Sequence, residues 1–365
     1  MDFRVLVLGG YGLFGRRIVR RLAREPALRV VVAGRNAAAA HALAADVGAE
    51  ALACDVHAES FADTLAATHA QLVINTAGPF QGEDYAVART ALAAGMHYVD
   101  LADARDYVAG FGALDDDARS RGLVAVAGAS TVPGLSAAVV DRHRSEFARL
   151  TGIDIGISPG NRTERGLATI AAILSYVGRA LPWCERGRRV AVRGWQRLER
   201  YVYAAPVGAR WLAACDVPDL ALFVERYAPL DTLRFRAGLE LKRLHFGLWA
   251  LSWLVRAGLV RDLARHAAAL KRMSEWWLGA GSDDGAMHVT LSGVDAHGAA
   301  HSLTWEIVAQ NGDGPEIPAT AAVVIATKLA RGELAARGAM PCVDLFTLEE
   351  CLASLAPFAI TTHVR

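Results

Sequence analysis

Phe3-Arg-Val-Leu-Val-Leu-Gly-Gly-Tyr-Gly-Leu-Phe-Gly15, continued by Arg16-Arg-Ile-Val-Arg-Arg-Leu-Ala-Arg24, is the stretch from which the rest of the chain is read. Val5 to Leu8 form an apolar run suited to a buried strand, and it stops at glycines. Beyond them Ile18, Val19 and Leu22 recur at helical spacing, so strand, tight turn and helix follow in that order. Gly10, Gly12 and Gly15 fit G-x-G-x-x-G. The first glycine of that pattern permits the turn, the second lets backbone approach a pyrophosphate, and the third lets helix pack on strand. The helix N-terminus adds oriented N–H groups that favour an anion. The position between a strand and a helix makes the pattern a prediction of dinucleotide binding rather than a Gly-rich turn of some other α/β protein.

The chain has 365 residues, of which 53% are hydrophobic, enough for two domains with sizeable cores. Its 39 basic and 38 acidic residues leave a net charge of +1, and no concentrated basic face calls for nucleic acid. The pairs Arg16-Arg17 and Arg20-Arg21 read as the solvated side of the first helix. Five cysteines lack C-x-x-C spacing and a His-rich neighbour, so they read as reduced thiols of a cytoplasmic protein, without disulfides or a metal site. A secretory signal is not expected, because Val5 to Leu8 runs straight into the glycine turn.

A second apolar run, Arg29 to Asn36, ends where an NAD-selective protein would place an acidic residue on the ribose 2′-hydroxyl. Here Gly34, Arg35 and Asn36 stand instead, and a guanidinium attracts the 2′-phosphate of NADP through charge-assisted bonds. NADP is therefore the expected cofactor, ahead of NAD. Residues 37 to 47 predict a helix, and Glu50 to Val56 a third strand. At its end Asp55 and Val56 could meet adenine, or Asp55 could cap a helix. A fourth strand, Leu72 to Asn75, leads into Thr76, Ala77, Gly78 and Pro79, which are placed to line the cofactor cleft. Helix 84–94, strand His97 to Asp103, helix 106–121, strand Leu123 to Gly128 and helix 137–150 complete an alternation of β and α elements. Such alternation predicts a Rossmann-type, doubly wound parallel sheet over residues 1–150.

From Thr151 the texture changes. Ile153–Ile157 and Arg189–Arg193 read as strands, Thr169–Val177 as a helix, and Met287–Ser292 with His301–Val308 as an antiparallel hairpin. Residues 151–318 are thus expected to form an inserted α+β domain with an antiparallel sheet that shapes the substrate site and dimerises. Residues 319–365 are expected to return to the first domain as helices. Phe246 to Val255 is apolar but ends at Arg256, short of the roughly 20 residues that span a bilayer. The tryptophans of residues 246–278 fit core packing first, with an acyl pocket, a dimer interface or a membrane surface as the other readings.

The motifs Val7–Gly15, Val30–Asn36, Val73–Gly82 and Gly95–Asp103, with Pro133-Gly134, resemble the saccharopine dehydrogenase (reductase) superfamily in its NADP-binding group. The resemblance covers about the first 140 residues. It implies Gly10, Tyr11, Gly12, Leu13 and Phe14 around the pyrophosphate, and Arg35 and Asn36 on the 2′-phosphate. It further implies Asp55 and Val56 at adenine, Thr76 to Pro79 at the nicotinamide ribose, and His97, Tyr98 and Asp100 beside the reacting carbon. Members of that superfamily reduce an imine formed between an amine and a keto acid, or activated double bonds in lipids.

Hydride transfer also needs a group that moves a proton. Alternation along a strand puts Tyr98 and Asp100 on one face and His97 on the other, so Tyr98 and Asp100 are the expected cleft residues. A keto-acid substrate would call for an arginine clamp, which Arg162 and Arg165 could supply. The resulting expectation is an NADP-dependent oxidoreductase of small amino or keto acids. An enoyl or keto reductase of a lipid-like substrate and a non-catalytic NADP-binding regulator are the alternatives.

Overall fold

The computed structural model describes residues 3–365, and the chain divides into two compact units. The first comprises residues up to Leu135 together with Glu316–Leu355; the second comprises Ser136–Pro315 and Ala356–Arg365. The division falls earlier than the expected 150. Ser136–His143 is a helix of the second unit, and the predicted helix 137–150 gives way to a strand that begins at Arg149.

In the first unit β1 (Phe3–Leu8), α1 (Gly15–Leu22), β2 (Leu28–Gly34), α2 (Ala37–Val47), β3 (Glu50–Ala53), β4 (Leu72–Asn75), β5 (His97–Asp100) and β6 (Val124–Ala127) follow one another. Helices Phe61–Ala67 and Ala86–Ala93 separate the later strands. The predicted helix 106–121 is broken into Arg105–Ala109 and Asp115–Ser120 by a 3₁₀ turn that follows Gly110. Every strand pair is parallel, in the order Gly338–Pro341, β6, β5, β4, β1, β2, β3. Val5 to Leu8 are buried because β1 lies centrally with neighbours on both edges, which is why its sequence is a continuous apolar run rather than an alternating one.

The returning helix Glu316–Arg331 packs against α1, and here one expectation is corrected. Arg17 and Arg21 are not a solvated face. The Arg17 Nε pairs with Glu316 at 3.2 Å, while Arg21 donates to Thr320 Oγ1 at 2.8 Å and to Ser354 Oγ at 2.6 Å. Burial draws the Arg21 pKa down, and Glu316 opposes that shift. Three elements distant in sequence are therefore joined by cations of the first helix, with Arg20 left exposed.

The second unit holds a nine-stranded sheet. Its main order is Glu199–Val202, Ala209–Ala214, Thr232–Ala237, Arg149–Ser158, Gly285–Val294, Ala300–Ala309, Ile360–Val364. Ala180–Glu185 pairs with Thr232–Ala237 and with Arg188–Arg193. The sheet is antiparallel except where Thr232–Ala237 runs parallel to Arg149–Ser158. The predicted hairpin is present with Gly285 opposite Ala309 and Val294 opposite Ala300. The last strand adds to this sheet, so the chain's final residues do not end as helices of the first unit. Helices Leu167–Tyr176, Lys242–Arg256 and Ala267–Glu275 gather around a core that includes Leu174, Trp195 and Ala213.

Candidate functional site

Parallel register brings the carboxyl ends of the first unit's strands to one rim: Leu8 lies beside Ala33 and Asn75, Gly34 beside Ala53, and Asn75 beside Asp100. β1 sits between β2 and β4, so the strand order reverses there, and an open α/β sheet binds ligands at such a point.

The turn that leaves β1 is built on Gly9 as well as on the three glycines of the motif. Gly9 has φ of +71°, a conformation glycine adopts without penalty, so the tight turn assigned to Gly10 belongs to Gly9. A Cβ on Gly10 would stand 2.9 Å from the Val7 carbonyl oxygen and 3.0 Å from Val32 Cγ1, wedged between β1 and β2. On Gly15 it would lie 2.3 Å from the Gly9 carbonyl oxygen and 2.8 Å from Gly10 Cα, so α1 packs on the turn only without a side chain. Gly12 differs. Its Cβ would meet the Gly9 oxygen at 3.0 Å and nothing else within 4 Å, so the protein itself leaves that side of the backbone open. No side chain caps α1 and no acidic residue occupies its first turn, which keeps the positive end of the helix available to an anion. These features fit a pyrophosphate over Gly12.

Tyr11 does more than follow the turn. Its ring packs over Gly34, where a Cβ would approach Tyr11 Cε1 to 2.5 Å, and its hydroxyl accepts the Asn36 N–H at 2.9 Å. Asn36 Oδ1 in turn accepts the Ala39 N–H at 3.1 Å and caps α2. The Asn36 backbone N–H and side-chain oxygen are thus engaged in fixing the β2–α2 corner, while Arg35 beside it is exposed and has no ion-pair partner among the described residues. Asp55, exposed after β3, accepts the His57 N–H at 3.1 Å, and Val56 is half-buried. Thr76 ties the rim together: its hydroxyl reaches the carbonyl oxygens of Leu8 at 2.8 Å and Gly9 at 3.1 Å. Ala77 N–H donates to Asn75 Oδ1, and Ala77 and Pro79 are exposed beyond it with Gly78 half-buried.

The expected cleft residues are corrected. Tyr98 and Asp100 do share a face, but both are fully buried within the first unit. The Tyr98 ring stacks on Phe111 and its hydroxyl accepts from Asn75 Nδ2 at 3.2 Å, and burial drives its pKa well up. Asp100 Oδ1 accepts the N–H groups of Ala102 at 3.0 Å and Gly128 at 2.9 Å. Burial raises Asp100 to about 6, against those two bonds, which favour the charged form. Helices and loops cover both faces of a four-residue interior strand, so side chains of catalytic type end inside it. His97 begins β5, at the end away from the rim, and its Nδ1 accepts the Val124 N–H at 3.0 Å.

In the second unit Arg165 turns into its own loop, donating to the Asn161 carbonyl oxygen at 2.7 Å and to Asn161 Oδ1 at 3.2 Å. Arg162 is exposed and reaches the Gly279 carbonyl oxygen at 3.2 Å. The two guanidiniums are not brought together as a clamp, because closing this loop requires one of them. Glu240, a residue the sequence did not single out, holds the loop from the other side, accepting the N–H groups of Asn161 at 2.7 Å and Ser282 at 2.9 Å.

An all-parallel sheet with this glycine turn defines a Rossmann-type dinucleotide-binding unit. Residues 5–126 match the family described as the saccharopine dehydrogenase NADP binding domain. No curated protein sequence matches the chain. Saccharopine dehydrogenase (L-Glu forming) from Saccharomyces cerevisiae superposes with a TM-score of 0.71 at 14% identity, covering 100% of both chains. Homospermidine synthase from Legionella pneumophila, solved with NAD, superposes with a TM-score of 0.61 at 9% identity, covering 100% of this chain and 91% of the other. The fold is therefore that of saccharopine dehydrogenase over the whole length, with a dehydrogenase-type NADP-binding domain at its N-terminus.

Proposed function

We propose that the protein is a cytoplasmic, NADP-dependent oxidoreductase that transfers a hydride to an imine or carbonyl of a small amino or keto acid. The observation that supports this reading most directly is the open Gly12 backbone at the head of an uncapped α1, within a domain of the saccharopine dehydrogenase NADP-binding type. In this reading Gly10 to Phe14 hold the pyrophosphate, Arg35 pairs with the 2′-phosphate, Asp55 and Val56 border adenine, and Thr76 to Pro79 border the nicotinamide ribose. When bound, NADPH supplies the hydride. Asn36 and Tyr11 hold the corner that presents Arg35, and Thr76 holds the β1 and β4 ends in register. Of the expected carboxylate clamp Arg162 remains, since it keeps its exposure.

A reductase of a hydrophobic, lipid-like substrate is the second reading, favoured by the exposed apolar side chains of residues 242–278. The experiment is calorimetric titration with NADP and NAD. NADPH consumption is then followed with amine and keto-acid pairs, simple ketones and enoyl thioesters. Turnover with the amine and keto-acid pairs supports the first reading, and turnover with enoyl thioesters alone supports the second. Binding of NADP without turnover on any of them leaves the regulator, and failure to bind either nucleotide refutes all three.

A further inference from the structure

Seven of the ten large apolar side chains that stand exposed among the described residues fall within residues 242–278, led by Trp276 at 78% and Leu259 at 75%. The same stretch carries seven Lys and Arg against two acidic residues, a net charge of +5 in a chain whose total is +1. The remainder of the molecule is therefore net acidic, at −4. Greasy and basic side chains are concentrated on one short segment of the second unit.

The local structure explains why they are outside. Helix Lys242–Arg256 turns His245, Leu248, Trp249, Ser252 and Val255 inward at intervals of three and four, toward the core around Trp195 and its neighbour Gln196. Trp253 and Leu254 are left facing out. Gly258, with φ of +76°, ends the helix and throws Leu259 beyond it, while Trp276, Trp277 and Leu278 follow helix Ala267–Glu275. The Arg243 guanidinium lies 3.8 Å above the Trp277 ring and that of Arg256 4.7 Å above the Trp253 ring. An indole with an arginine over its face suits the boundary between lipid headgroups and acyl chains. The ring enters the apolar layer, and the guanidinium stays with the phosphates.

We propose that residues 242–278 dock the protein on an anionic lipid surface, with Trp276 and Leu259 inserted and the surrounding arginines and lysines over acidic headgroups. The docking is peripheral, since no helix among the described residues is long and apolar enough to cross a membrane. A second copy of the chain is disfavoured as the occupant, because a two-fold contact would set one +5 segment against another. Nucleic acid would meet the cations and leave Leu259, Met273 and Leu278 in water.

The test uses the full chain in co-sedimentation with vesicles of phosphatidylcholine alone and of phosphatidylcholine mixed with phosphatidylglycerol. Binding is expected to the mixed vesicles only, and to be released by salt. Each basic residue near an anionic surface contributes roughly fivefold in partitioning, so the Arg261→Glu, Arg272→Glu double variant loses at least about 25-fold. Trp276→Ser with Leu259→Ser abolishes vesicle binding, and both variants keep the parent's NADP affinity and circular dichroism. The proposal is overturned if the parent protein stays in the supernatant with both vesicles. It is equally overturned if the serine variant still binds, or if ultracentrifugation finds a dimer that the serine variant dissociates while no vesicle binding occurs.

Discussion

Substituting alanine at Gly12 and, separately, at Gly15 distinguishes a turn that packs from a turn that receives a ligand. At Gly15 the new Cβ would sit 2.9 Å from Thr76 Oγ1 and 2.3 Å from the Gly9 carbonyl oxygen, a backbone atom, the second approach more than 1 Å inside ordinary contact. Overpacking of this kind costs about 1–3 kcal/mol, and each kcal/mol lowers the melting temperature by about 2–4 °C in a unit of this size. At Gly12 the Cβ meets only the Gly9 oxygen at 3.0 Å, which a shift of a few tenths of an ångström relieves. Gly12→Ala is therefore expected to fold with a melting temperature within about 2 °C of the parent, in line with a cost of about 0.5 kcal/mol. Its methyl group would nevertheless stand where a pyrophosphate approaches the backbone. Losing one charge-assisted hydrogen bond costs about 1.5–3 kcal/mol, so the Kd for NADP should rise between about 10-fold and 150-fold. Thermal denaturation and calorimetric titration of the two variants side by side provide the assay. Parental NADP affinity in Gly12→Ala refutes the cradle, and a melting point as low as that of Gly15→Ala refutes the claim that Gly12 is open for a ligand.

Arg35→Asp places a carboxylate where the 2′-phosphate would lie; NADP affinity should fall and NAD affinity rise, and unchanged NADP affinity removes Arg35 from the site. Tyr11→Phe deletes the acceptor of the Asn36 N–H and should weaken NADP binding up to about tenfold, with a smaller effect on NAD; equal losses for both nucleotides would assign Tyr11 to folding alone. In the second unit Asp219 is fully buried against the Ser136 hydroxyl at 2.5 Å, and burial raises it from 3.8 to about 7. A raised carboxyl contributes its full stability below pH 4 and loses it as the pH climbs through 7. Asp219→Asn should accordingly gain stability over the parent across that window, by up to about 4 kcal/mol at pH 8. Urea denaturation at pH 5 and pH 8 that shows the same difference between variant and parent excludes that ionisation.

The first unit was legible because its strands are short apolar runs punctuated by glycine, as a sheet covered on both faces requires. The second unit was less so: the strand Thr232–Ala237, with Arg234 and Arg236 inside it, offers no apolar run to read. Arg236 is buried between Asp154 and Glu199, and Arg234 pairs with Asp154 and Glu185, so partners on other strands neutralise what local hydropathy marks as surface. The strand Gly338–Pro341 escaped notice because four residues ending in proline carry no period, and proline is tolerated there only because the strand lies at an edge. Of the site, the glycines and Arg35 could be read from spacing. Gly9 had a signal in the doubled glycine at the strand end, whereas Glu240 acts on loops about 40 and 80 residues away and had none.

Tyr98 and Asp100 show why residue type alone misleads at a strand end. Asp100 receives N–H groups from Ala102 and Gly128 on its carboxylate and from Ala129 on its carbonyl oxygen, so one residue fixes the exits of both β5 and β6. Asn75 and Thr76 do the same for β4 and β1, and Asn36 for β2. A rim made of strand ends leaves backbone groups without ladder partners, and small polar side chains at those ends satisfy them. The same residues would be chosen for catalysis, because both tasks need a short acceptor in a restricted place. What separates the two is whether donors from the protein already occupy the acceptor. By that criterion Asp100 Oδ1, Asn75 Oδ1 and Asn36 Oδ1 hold the rim, Thr76 holds it as a donor to the Leu8 and Gly9 carbonyl oxygens, and the exposed Arg35 has no acidic partner among the described residues.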